Sequence, residues 1–100
     1  MLLAIDSGNT NIVFAVFNDD GNILKEWRVP TKMYHTPSEY AEWLYNLMKI
    51  EKLSPKNIKN VIIANVVPKT LYDLKTLSSK HFKVQPIIVG EPNVKLRISI

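Results

Sequence analysis

Two apolar runs near the start of the chain, Leu2–Ile5 and Ile12–Phe17, are divided by Asp6-Ser7-Gly8-Asn9-Thr10-Asn11. Short runs rich in Leu, Ile, Val and Phe read as strands, and the residues between them favour a tight turn. Asp19-Asp20-Gly21-Asn22 turns the chain again, because Asp, Asn and Gly tolerate positive φ. Ile23–Val29 then returns as a third strand, closed by Pro30. The opening third of the chain is therefore predicted to be an antiparallel meander.

A helical pattern follows. Thr36 suits an N-cap, Pro37 the first helical position, and Glu39 completes a capping box. Tyr40, Trp43, Leu44, Leu47 and Met48 recur at helical spacing and are read as core residues, predicting a helix to about Lys52. Ser54-Pro55-Lys56-Asn57 breaks it. Val61–Val66 reads as a buried strand, and Pro68 opens a second helix with Leu71, Leu74 and Leu77 on one face. Val84–Val89 reads as a fifth strand, placed by Pro86 near an edge or bulge. Gly90-Glu91-Pro92-Asn93 is a loop, and Lys95–Ile100 starts another strand. The predicted order, β-β-β-α-β-α-β, calls for an α/β fold with helices packed on a mixed sheet. It matches the ribonuclease H-like fold of the actin, Hsp70 and sugar-kinase superfamily. Because the chain stops inside an expected strand, the domain is expected to be incomplete at its carboxyl end.

Composition narrows the function classes. The net charge of +4 arises from 13 basic and 9 acidic residues, a sign that suits anionic ligands such as nucleotides. The lysines are scattered rather than gathered into a tract, so no nucleic-acid surface is expected. No apolar run reaches the roughly 18 residues of a membrane-spanning helix. Met1–Ile5 lacks a basic leader, which argues against a signal peptide. Absence of cysteine rules out disulfides and thiolate metal sites and fits a cytoplasmic protein. His35 and His81 are far apart, do not make a zinc site, and are expected to be solvated.

The chemistry lies in the first turn. Gly8 lets the backbone approach a ligand without a Cβ in the way. Successive amides in such a turn form an anion-binding concavity. Thr10 and Asn11 add side-chain donors for phosphate oxygens. Asp6 is an oxygen ligand for Mg²⁺, directly or through water. The same string is also an ordinary hairpin turn whose residues bond their own backbone. Its place after a buried strand favours a phosphate hairpin. Neither Gly-x-x-x-x-Gly-Lys-Ser/Thr nor Gly-x-Gly-x-x-Gly occurs, so a P-loop is excluded on this segment.

Met1-Leu2-Leu3-Ala4-Ile5-Asp6-Ser7-Gly8-Asn9-Thr10-Asn11 resembles the Asp-x-Gly-Asn-Thr-Asn opening of type III pantothenate kinases. Trp27-Arg28-Val29-Pro30-Thr31 is similar to that family's Trp-Arg-x-x-Thr segment. Thr36-Pro37-Ser38-Glu39-Tyr40 resembles its Thr-x-Asp-Glu-Tyr helix start, with Ser38 in place of the acid. Ile63-Ala64-Asn65-Val66-Val67-Pro68 resembles its Ser-Ser-Val-Val-Pro segment, with Ala64-Asn65 in place of the serines. Arg97 stands where many members have glycine.

The resemblance implies transfer of the γ-phosphoryl group of ATP to pantothenate in coenzyme A biosynthesis. It implies a cytoplasmic homodimer that uses Mg²⁺ and a monovalent cation, K⁺ or NH₄⁺, with neither nucleic acid nor membrane as partner. Asp6, Ser7, Gly8, Asn9, Thr10 and Asn11 would form the ATP phosphate loop, with Asp6 associated with the metal. Asn65 and Pro68, where a strand meets a helix amino terminus, are candidate site-facing residues. The family's catalytic aspartate, in Gly-x-Asp-Arg, is expected beyond Ile100, so this chain alone is expected to be inactive. Residues 1–100 are read as the phosphate-binding portion, with the second domain absent. Rival readings are a non-catalytic homologue that binds a partner, as in transcription accessory factors, and another actin-like ATPase or sugar kinase. Arg28 either meets a phosphate or pairs with a carboxylate; Trp27 packs on the sheet or sits at an interface.

Overall fold

The computed structural model describes residues 1–64 and 66–89. The strands are β1 (Leu2–Ser7), β2 (Asn11–Phe17), β3 (Ile23–Pro30), β4 (Asn60–Ala64) and β5 (Ile87–Ile88), and the helices are α1 (Pro37–Ile50) and α2 (Pro68–Thr76). A 3₁₀ turn, Pro55–Asn57, precedes β4, and a π-helical turn, Leu77–His81, continues α2. The fold class read from the sequence, α/β with helices packed on a mixed sheet, is the one the structure shows.

The five-stranded sheet has the order β3-β2-β1-β4-β5. β2 runs antiparallel to β1 and β3, and β4 runs parallel to β1 and β5. Alternation divides its residues between two faces. Leu3, Ile5, Ile12, Phe14, Val16, Val61, Ile63 and Ile88 lie on one face and form a single buried cluster with Tyr40, Leu44 and Met48 of α1 and Leu74 of α2. Phe14 is its hub, with ring centroids 5.8 Å from Tyr40 and 5.5 Å from Trp43. Trp27, paired with Phe14 across β2 and β3, packs against the same cluster, which decides for the sheet over an interface. Leu2, Ala4, Asp6, Val13 and Ile62 occupy the other face, where no described helix packs.

Local chemistry sets the element ends. The Thr36 hydroxyl accepts from the Glu39 amide at 3.2 Å, and the Glu39 carboxylate accepts from the Thr36 amide at 2.7 Å. This capping box satisfies two otherwise orphaned donors. α1 stops at Ile50 rather than Lys52, because Lys52 takes a left-handed φ of 61° that no helix can include. The turn between β2 and β3 is organised by Asn18, whose side chain accepts from the Asp20 and Asn22 amides, while Gly21 supplies a φ of 85°. Asp19 does more than turn the chain: its carboxylate lies 3.2 Å from the amino terminus of Met1.

The later strands are shorter than predicted. β4 ends at Ala64, and Val67 already serves as N-cap of α2, so Val66 and Val67 belong to the connection. β5 keeps only the residues after Pro86, which has no amide for the ladder. The expected loop at 90–93 and strand at 95–100, with Arg97, lie outside the described residues. His81 is not the solvated residue expected at a helix end: its Nε2 is buried without a partner among the described residues. The neighbouring carbonyl of His81 accepts from the Tyr45 hydroxyl at 2.6 Å. Burial raises the Tyr40 hydroxyl above its usual pKa, with further contributions from Asp73 and Glu39, and burial alone raises Tyr45.

Candidate functional site

β1 and β4 are parallel and end side by side, with Asp6 paired to Ala64. From β1 the chain first builds outward through β2 and β3, then returns to add β4 and β5 on the opposite flank. The direction of building thus reverses between β1 and β4. In open α/β sheets, the crevice beyond the carboxyl ends of strands at such a reversal is where ligands bind. The turn after β1 and the amino terminus of α2 both lie at this end of the sheet.

Strand alternation gives Asp6 and Ser7 different environments. Asp6 is exposed on the helix-free face, in register with Val13 of β2 and, beyond it, Arg28 of β3. Ser7 is fully buried on the helix-covered face, its hydroxyl 2.7 Å from that of Thr70. The Thr70 hydroxyl donates to the Val67 carbonyl at 3.1 Å, so the shared proton between the two hydroxyls comes from Ser7. The Ser7 side chain is thereby committed to the interior and joins the root of the turn to the first turn of α2. Any contact it makes with an anion falls to its backbone.

Gly8 to Asn11 is a tight turn. The Gly8 amide donates to the Asn11 carbonyl at 3.0 Å, and a Cβ added at Gly8 would stand only 3.3 Å from that oxygen. Asn9 and Thr10 are exposed at the tip, and Asn11 is half-buried where β2 begins. Among the described residues, the side chains of Asn9, Thr10 and Asn11 make no hydrogen bond. The turn is held from one side by Thr31, which follows β3 and is 6% exposed. Its hydroxyl donates to the Gly8 carbonyl at 2.8 Å, and its amide donates to the Thr10 carbonyl at 2.8 Å. Sequence reasoning missed this latch. Its only local cue is a hydroxyl residue directly after the proline that closes a strand, and its partners lie more than twenty positions earlier.

Across the crevice, Pro68 is exposed at the first position of α2. The N-cap, Val67, offers no side-chain acceptor; Pro68 has no amide and the Thr70 amide donates to the Val67 carbonyl at 3.0 Å, which leaves the Lys69 amide as the donor at that helix end. Asn65, the other candidate in this connection, lies outside the described residues. Lys69 places its ammonium 5.7 Å from the centre of the Tyr34 ring. Arg28 is exposed and forms no ion pair among the described residues, so the structural pairing weighed from sequence is not seen there.

Among the described residues no three His, Cys, Asp or Glu side chains converge to hold a metal. Asp6 is a single exposed carboxylate beside an amide-rich turn. One carboxylate ligand suits Mg²⁺, which keeps most of its waters and takes its remaining ligands from substrate phosphates. The donor chemistry therefore fits a magnesium ion that arrives with a polyphosphate, not one caged by protein. Among the described residues no helix is long and apolar enough to cross a membrane.

The family model for type III pantothenate kinase matches residues 2–100. The chain is 50% identical to the type III pantothenate kinase of Paramagnetospirillum magneticum over 101 residues, which is 100% of this chain and 38% of that protein. It is 47% identical to the corresponding protein of Rhizorhabdus wittichii and 49% identical to that of Rhodospirillum rubrum, with the same coverage of 100% and 38%. The chain thus spans 38% of the length of these curated relatives.

Proposed function

The chain belongs to the type III pantothenate kinase family, and on that premise we propose that it supplies the phosphate-binding portion of an enzyme that phosphorylates pantothenate with ATP in coenzyme A biosynthesis. The observation that carries the proposal is the pairing of an exposed carboxylate, Asp6, with a turn whose carbonyls are held by its own protein. In this reading residues 1–100 are the amino-terminal part of the ATP-binding domain. The residues that bind pantothenate and the general base belong to the longer protein.

The chemistry asked of this segment is positioning and charge neutralisation. Phosphoryl transfer needs little covalent participation from protein. The backbone of Ser7 to Asn11 would cradle the phosphates, and the side chains of Asn9, Thr10 and Asn11 would donate to their oxygens. Asp6 would hold Mg²⁺ through its carboxylate or through water; when bound, the ion offsets the charge on the phosphates. The amino terminus of α2, with the Lys69 amide as its donor, would add a favourable dipole at the same end of the sheet. The family reading also brings a monovalent cation, K⁺ or NH₄⁺, a homodimer and a cytoplasmic setting. No described residue is assigned to the monovalent ion.

Steady-state kinetics of Asp6→Ala in the full-length polypeptide test the proposal. Loss of one metal-associated carboxylate is expected to lower kcat/KM for Mg·ATP by about a hundredfold or more, with KM for pantothenate little changed. Wild-type kinetics in the variant would remove Asp6 from the site. The isolated 100-residue chain is expected to give no phosphopantothenate.

A further inference from the structure

We propose that Thr31 is a positioning residue for the phosphate turn, acting through the orientation of two peptide planes; the inference rests on the ATP-binding reading given above. A trans peptide fixes its C=O and N–H in opposite directions. The Gly8 carbonyl and the Asn9 amide share one such plane, and the Thr10 carbonyl and the Asn11 amide share another. Thr31 takes both carbonyls, the first with its hydroxyl at 2.8 Å and the second with its amide at 2.8 Å. The Asn9 and Asn11 N–H groups are thereby both directed away from Thr31.

Donors turned away from Thr31 on a glycine turn suit a phosphate group, and the Asn9 amide has no acceptor among the described residues. The arrangement is fixed before any ligand arrives, so no reorientation is needed on binding. Thr31 is also buried, with 6% of its surface exposed, so water competes little for the two carbonyls. The hydroxyl is the replaceable half of the latch. Without it the Gly8–Asn9 plane is free to turn and lose its donor, while the backbone half remains.

The experiment compares Thr31→Val and Thr31→Ser with wild type in the full-length polypeptide, measuring kcat and KM for Mg·ATP and pantothenate together with thermal melting. Valine keeps the β-branched shape and the amide but removes the hydroxyl; serine restores the hydroxyl. Thr31→Val is expected to lower kcat/KM for Mg·ATP about tenfold, with KM for pantothenate unchanged, and Thr31→Ser to return within about threefold of wild type. A Thr31→Val enzyme with wild-type Mg·ATP kinetics overturns the inference. So does a serine variant as impaired as the valine one, because the loss would then follow packing and not the hydroxyl. A wild-type protein without ATP-dependent phosphorylation of pantothenate would instead remove the underlying reading.

Discussion

At the scale of single residues, the candidate site is also shaped by side chains that point into the protein. Ser7 illustrates this. Its hydroxyl is fully buried against Thr70, which ties the end of β1 to the first turn of α2. Thr70→Val would leave the Ser7 hydroxyl without its acceptor in the interior. A cost of about 1–3 kcal/mol in urea unfolding is expected, and Ser7→Ala combined with it should recover part of that loss. Gly8 is needed for space: a Cβ would press on the Asn11 carbonyl at 3.3 Å. Buried Tyr40 and half-buried Tyr45 give a pH signature. Their phenol pKa values are raised in the folded state, chiefly by burial. Folding therefore favours the protonated form. Stability from this source is complete below the unfolded value of 10.0 and is lost as pH rises through the raised folded values. Absorbance titration of tyrosinate should show two late-titrating phenols, and thermal stability should fall on the alkaline side.

At the scale of elements, the sequence was most legible where local chemistry and tertiary packing agree. The meander was visible because short apolar runs divided by polar turns, among them Asp19-Asp20-Gly21-Asn22, favour it. α1 was visible because its capping box and its apolar stripe coincide. Thr36→Ala is expected to cost about 1 kcal/mol by chemical denaturation, since it removes one member of that box. Leu44→Ala, at the fully buried centre of the stripe, should cost about 2–5 kcal/mol. Legibility failed where non-local contacts decide. Nothing near Val66 says that it stands in the connection to α2, where Val67 is already the N-cap. The π-helical turn after α2 is likewise set at a distance, with Tyr45 of α1 donating to the His81 carbonyl. For the site, the sequence showed which residues stand in the turn. It did not show that Ser7 faces inward or that Thr31 grips two carbonyls, because both contacts span long sequence separations.

At the scale of the whole molecule, the sheet is covered by described helices on one face only. Leu2, Val13 and Ile62 line the other, and Ile87 on that side is 38% exposed. Ile50 and Tyr72 add exposed apolar surface elsewhere, at 72% and 74%. Apolar residues that no described helix covers promote association. The isolated 100-residue chain is expected to self-associate in a concentration-dependent way, which sedimentation velocity would detect, whereas a sharp melting transition from a monodisperse monomer would contradict it. At the opposite end of the scale stands a pair of backbone amides beside one carboxylate, proposed to hold the phosphates. Nitrogen-15 NMR of the full-length polypeptide, titrated with a non-hydrolysable ATP analogue and Mg²⁺, tests this directly. The Asn9 and Asn11 amide resonances should move saturably, and the movement should be lost in Asp6→Ala. Saturable binding that leaves both resonances in place would contradict the account.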